Sequence, residues 1–548
     1  MKIELPKEMR TFAFTELTMV ELNDTDVERM LTQIFEMAIK QGRTASNVRA
    51  ATLYDEKLAA LATSEKVKGF TDPRGEAVLD GWLRSSVVEM GRVGRQRMHE
   101  QMLYLRPSTV AVYRAGFPSR SRHRQADSLV YREMQREALT RLGSGDPVKA
   151  RVWIGERFRE SFGRGVVFSD PPKWAPQYDG VTEIDVSALL TVYFLEEFEA
   201  KSGVEPKEER NEPPVPGATS PLGRDVLDYI ASYGSHAPPL VMSQHLAALI
   251  GLRLFQLPLR TAIAARSLIE TGQRCPDMAD PLAGNPLEQY VDFTGEKGSP
   301  SDVLARACVQ RDLERTLQFF WDRLYLLALR GAPAVRPVFA DASLTAPERF
   351  VELLKRAHDP QVVAHLDYKL SLIVEENAET DDEDTSSFLH SMTADSRPAA
   401  ERLADVLVEA LKKRGYENSV KWFWSTGGVK TDFGILSGPL NVRRAWTYAP
   451  SDVLLSSLLS VIFSRPGGAA PRAEMSIAAI LQALERRFGL LIDRPPRGMD
   501  SAENRAAAAQ NLESFKYRLQ LLGAFDGLSD DFSAQRVRNP LIDLVEEN

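Results

Sequence analysis

The chain has 548 residues, 43% of them apolar and 26% charged, with a formal net charge of −8. That length exceeds what one hydrophobic core fills, so several domains are expected, and the acidic balance argues against a wholly basic nucleic-acid coat while allowing a local basic face. Two cysteines, Cys275 and Cys308, exclude a disulfide framework and a cysteine-rich zinc site.

The opening stretch MKIELPKEMRTF lacks the continuous apolar segment of a signal peptide, and no uncharged apolar run approaches the ~18 residues of a membrane span. A cytoplasmic protein without a membrane partner is expected. Helices dominate residues 1–203, read as an α-rich N-terminal domain. Thr25 and Glu28 stand at capping-box spacing, and Val27, Met30, Leu31, Ile34, Phe35 and Ala38 follow at helical intervals that make one face apolar. Asp185 should cap another helix, buried through Val186, Leu189, Leu190, Tyr193, Phe194 and Phe198.

VEPKEERNEPPVPGATSP mixes charge with proline and cannot bury a core, so 204–221 reads as a linker. A helical middle domain, 222–373, follows. Its main element runs from near Ser301 to Arg330, a rod of about 45 Å at ~1.5 Å per residue. Cys308 falls inside it as a small buried hydrophobe rather than a nucleophile, since no activating motif accompanies it. The mutually repelling carboxylates of EENAETDDEDTSS predict a solvated acidic linker over 374–396. Residues 397–548 then form a third domain, and the lack of any fixed repeat argues against a solenoid.

The densest cationic signal lies between Arg84 and Arg164, where Lys149 is the only lysine. Arg92, Arg95 and Arg97 precede FPSRSRHRQADS, which gathers Arg120, Arg122, His123 and Arg124. Arginine pairs bidentately with phosphate and stacks on bases, and a basic polar loop is what a phosphate backbone would order. Tyr104, Tyr113, Phe117 and Tyr131 are interleaved, as stacking platforms or as core. The competing reading pairs these arginines with Glu89, Glu133, Glu137, Glu156 and Glu160 on helix surfaces.

The last hundred residues have the order a winged helix requires, over 451–540. Ser451 or Asp452 caps a first helix, Ser476 a second, and a third runs through Ala506 to Leu522 before Gly523 ends it. GAFDGLSDDFSAQRVRNPL then reads as strand, polar turn and second strand with Val537, a short β-hairpin or wing. If the third helix enters a major groove, Arg505, Gln510, Asn511, Lys516, Arg518 and Gln520 have suitable chemistry, and Arg536 and Arg538 would meet the backbone. Asp526, Asp530 and Asp531 at the turn would repel phosphate, so docking of a protein stays open.

Catalytic patterns fail one by one. STGGVKTDFG lacks the first glycine of a phosphate loop and reads as a β-turn between strands. Asp185, Glu199 and Lys201 resemble a metal-dependent nuclease set, but the residues between them have helical spacing where adjacent strands are needed. The seven histidines form no HExxH cluster, and no G-x-S-x-G elbow occurs.

Two runs carry a further likeness: EQYVDFTGEKGSPSDVLARACVQRDLERTLQFF over 288–320, and ERRFGLLIDRPP together with NLESFKYRLQLLGAFDGLSDDFSAQRVRNP. Both resemble parts of bacterial proteins encoded in anti-phage defence loci, of the methylation-associated type that also contains a DNA methyltransferase and ATPases. The resemblance spans about the last half of the chain, brings no functional residues with it, and implies a non-catalytic component beside DNA-acting enzymes. The expectation is a mainly α, multidomain protein with a C-terminal winged-helix-like module. It would bind DNA, with RNA left open, and partner subunits, using neither metal nor cofactor. A scaffold that meets only acidic proteins is the alternative, and a divergent nuclease the third reading.

Overall fold

Three long helices, Pro239–Thr271, Pro300–Gly331 and Ala399–Gly427, pack against one another at the centre of the molecule. They belong to a computed structural model that describes residues 2–43, 54–90, 102–106, 124–171, 174–196, 213–274, 276–278, 285–379, 382–465, 469–525 and 535–546. The protein is mainly α: nineteen α-helices accompany five two-stranded sheets among the described residues. The Val27–Ile39 helix docks its apolar stripe on the Ala126–Leu142, Pro147–Phe162 and Pro239–Thr271 helices. The Asp452–Phe463 helix packs on Pro239–Thr271, and Ala502–Leu521 on Pro300–Gly331. The buried side chains so form one continuous apolar cluster that reaches from Ile3 to Leu541.

Close approach is set by single residues. A Cβ on Gly223 would stand 2.2 Å from the carbonyl oxygen of Glu133, so the Ser220–Tyr233 and Ala126–Leu142 helices meet backbone to backbone. The Pro239–Thr271 helix is long and apolar enough to cross a membrane, but 89% of its apolar stretch is buried inside the protein.

Several local expectations hold. Asp185 Oδ1 accepts from the Ala188 amide at 2.9 Å and starts the Val186–Glu196 helix. Ser451 and Ser476 accept from the amides of Leu454 and Ala479 and cap their helices. Gly523, with φ of +68°, takes the left-handed conformation after Ala502–Leu521. Cys308 is fully buried, and that burial pushes its thiol up to about 11, which keeps it protonated and inert.

Other expectations change. The Val27–Ile39 helix is capped by Asp26, whose carboxylate accepts from the Arg29 amide, rather than by Thr25, because the acid one residue further on reaches the free amide. STGGVKTDFG is not a β-turn between strands: its first residues, with Trp422 and Phe423 before them, belong to the last turns of the Ala399–Gly427 helix. Gly428 terminates it with φ of +84° and lies so close to Gly434 that a Cβ would stand 2.4 Å from the Gly434 Cα. The acidic stretch is partly helical, since Asp382 caps a Glu383–Ala394 helix whose first turn holds Glu383 and Asp384, where carboxylates favour the helix dipole. Among the described residues the Arg536–Arg538 strand is not paired with a strand from the segment just before it. It pairs antiparallel with Glu474–Ser476, a strand that proline and glycine obscure in the sequence. One backbone bond, Arg538 N to Ala524 O at 2.8 Å, joins it to the end of the third helix.

Candidate nucleic-acid and partner interface

The Ala502–Leu521 helix starts at Ser501, whose hydroxyl accepts from the Asn504 amide at 3.1 Å. It buries Ala507, Ala508, Asn511, Phe515 and Leu519 against the protein. Its outer face carries Ala502, Glu503, Ala506, Ala509, Gln510, Glu513, Tyr517, Gln520 and Leu521. Tyr517 and Leu521, one turn apart, are 61% and 59% exposed.

Most of the cations expected to meet phosphate here face an acid. Arg505 pairs with Asp500 at 3.0 Å, Lys516 with Glu513 at 2.7 Å, Arg518 with Asp452 at 2.5 Å, and Arg538 with Asp543. Arg536 and Gln510 are exposed. Asn511 is fully buried: its Oδ1 accepts from the Phe293 amide at 2.7 Å, and its Nδ2 donates to the carbonyls of Val291 and Ile492 at 2.9 and 3.1 Å. No base edge reaches it there.

The arginine-rich region divides in two. Arg92, Arg95, Arg97, Arg120 and Arg122 lie outside the described residues, as do Tyr113 and Phe117. Arg124 is described and bonds Glu21 at 2.8 Å. Arg106 pairs with Glu89, Arg136 with Glu133, Arg141 with Glu137 and Arg157 with Glu160. Four of the five glutamates suggested as partners thus take an arginine. Tyr131 is buried in the core and offers no stacking face. Glu199, Lys201 and Cys275 also fall outside the described residues, and Asp185 serves as a helix cap. Among the described residues no cluster of three or more His, Cys, Asp or Glu is arranged to hold a metal ion.

One feature escaped the sequence: a buried chain of polar contacts through the interior. Arg141 Nη2 meets Asp228 at 2.7 Å, Asp228 meets Arg487 at 2.7 Å, and Arg487 bonds Asp225 at 2.6 Å. Asp225 also takes Arg253 Nε at 2.6 Å. Gln256 accepts from Arg253 and donates to Gln289 and to the Phe488 carbonyl. Gln289 reaches Asp312, on which Arg311, Arg315 and the Tyr448 hydroxyl converge. Burial alone would raise the Asp225 carboxyl, but Arg253 and Arg487 outweigh it and hold it below its ordinary value. Arg260, one further turn pair along the same helix, is 2% exposed, and burial beside Arg253 brings its guanidinium down to about 9. Arginines inside the apolar run of Pro239–Thr271 were the available signal, because a lone buried charge demands a partner.

The mainly helical chain falls in the class of defence-system proteins, as the runs at 288–320 and 511–540 suggested. Residues 7–541 match the family described as methylation-associated defense system protein MAD7, and the chain belongs to that family. No curated protein and no solved structure matches it.

Proposed function

We propose that the protein is a non-catalytic binding component of a methylation-associated defence assembly, docking a partner protein through the outer face of Ala502–Leu521 and contacting nucleic acid through its arginine-rich segment. The docking half rests on one observation: that face presents alanines with Tyr517 and Leu521, while the cations beside it are paired with acids. Small residues admit close approach, tyrosine is among the side chains that most often anchor an interface, and a helix can lay such a face into an apolar groove. The surrounding order of helix, strand, helix, helix and strand, with 474–476 paired to 536–538, supports a winged-helix-like module.

Nucleic-acid contact rests on composition, through Arg92, Arg95, Arg97, Arg120 and Arg122. Fluorescence anisotropy on a labelled duplex and a labelled single strand tests it. Affinity should fall steeply with salt, because each phosphate contact releases counterions, and Arg120→Ala with Arg122→Ala should weaken binding to unrelated sequences alike. Absence of binding at low salt leaves a scaffold. For the docking face, Tyr517→Ser with Leu521→Ser should abolish co-purification of the other proteins of the assembly while stability moves by no more than about 0.5 kcal/mol; retained co-purification would refute it.

A further inference from the structure

A cleft of about 480 Å³ opens where four segments meet: the Thr15–Thr18 helix, the start of Ala126–Leu142, the end of Pro300–Gly331 and the turn into Ala346–Lys355. Small-molecule sites span roughly 300–1,000 Å³. Three guanidinium groups line the cleft, those of Arg132, Arg330 and Arg349, against one carboxylate, that of Glu16. Arg330 is fixed in place: two bonds of 2.9 and 3.1 Å tie it to Glu16, and it lies 4.0 Å from the centre of the Phe339 ring.

Arg349 is differently placed. Its Nη2 donates to the Asp341 carbonyl at 2.9 Å, whereas its Nε is buried and makes no hydrogen bond. The Nε is closed off from the cleft, so an anion that enters would meet the terminal nitrogens of the Arg349 guanidinium. Of the nearby acids, Asp341 accepts from Ser343 and also feels the charge of Arg349, while Glu348 is taken by Thr345. Two residues of the wall, Met19 and Gln125, hold φ of +62° and +66°. Met19 closes the Thr15–Thr18 helix and Gln125 opens Ala126–Leu142, so these left-handed residues set the turns that shape the wall. Phe339 and Leu344 add an apolar flank.

We propose that this cleft binds a small phosphate ester of nucleotide size, its phosphate on Arg132 and Arg349 and its less polar part against Phe339 and Leu344. Planar guanidinium forks match phosphate oxygens two at a time, and the volume exceeds what a bare anion fills. The site is separate from the Ala502–Leu521 face, so either proposal can fail alone.

Isothermal titration of the full chain at low salt tests it, with the four ribonucleoside monophosphates and triphosphates, the free nucleosides and inorganic phosphate as probes. At least one nucleotide should bind, free nucleosides should not, and inorganic phosphate should bind more weakly. Arg349→Ala should weaken the nucleotide roughly tenfold to hundredfold, the worth of a charged hydrogen bond. Because Arg349 also steadies the Asp341 carbonyl, a second variant is needed. Ala342→Glu, at an exposed position of the lining, places a like charge in the cleft and should abolish binding with the melting temperature unchanged. No nucleotide binding at millimolar concentration, binding that survives both variants, or inorganic phosphate binding as tightly as the nucleotides would overturn the assignment.

Discussion

At the scale of single residues, chemistry visible in the sequence is redirected by burial. The sequence places Asn511 among DNA-reading side chains, yet in the folded chain its amide satisfies three backbone groups of neighbouring segments. Replacing it by alanine orphans all three, so Asn511→Ala should lower the unfolding free energy by roughly 2–5 kcal/mol, measured by urea denaturation. His245 shows the same effect on titration. Burial lowers its pKa to about 4, and its Nδ1 lies 3.0 Å from the Tyr229 hydroxyl. The folded value lies below the unfolded value of ~6.5, so the unfolded chain binds the proton first. The stability this neutral ring contributes is therefore complete above pH ~6.5 and is lost as the pH falls towards 4, by an amount on the order of 3 kcal/mol. The gap in stability between wild type and His245→Gln should narrow or invert over that window; a gap that stays constant from pH 7 to pH 4.5 would refute the assignment.

At the scale of elements, contact between helices depends on residues that periodicity does not weigh. Hydrophobic spacing found the Val27–Ile39 and Pro300–Gly331 helices because the buried stripe repeats every 3.6 residues. Spacing gave no sign of Gly223, whose missing side chain lets two helices touch. Gly223→Ala would push a methyl into the Glu133 carbonyl, 2.2 Å away. The backbones must separate, so a loss of about 2–3 kcal/mol is expected in thermal or urea unfolding. The strand pair 474–476 with 536–538 was equally hidden. Three-residue strands carry too few positions for alternation to register, and their partner lies some sixty residues away in sequence.

At the scale of the whole molecule, the polar chain from Arg141 to Asp312 joins helices drawn from every third of the sequence. Its middle is Asp225, which is fully desolvated and held by two arginines. Arg487→Met would leave Asp225 with Arg253 alone and remove a partner of Asp228, which should destabilise the protein by about 3 kcal/mol. Asp225→Asn removes the acid shared by Arg253 and Arg487 and so already breaks the contact that Arg487→Met breaks, so the two losses should be less than additive in the double variant; a double variant as unstable as the sum of the single ones would argue against direct coupling. The Asp225 carboxyl lies below its ordinary value when folded, so its stabilisation is present above pH ~4 and is lost on further acidification.

The sequence by itself determined the mainly helical class, the caps at Asp185, Ser451 and Ser476, the burial of Cys308 and the likeness to defence-locus proteins. These depend on local hydrogen bonding, on hydrophobic period and on residue identity, all of which are written within a few turns of chain. The tertiary structure alone decided which arginines face acids inside the molecule, that Asn511 is buried, and that Arg132, Arg330 and Arg349 line one cleft although they lie far apart in sequence. Charge pairing acts through space over a few ångströms, so a linear reading can count the cations of a region but cannot tell a phosphate-binding arginine from one already neutralised by the fold.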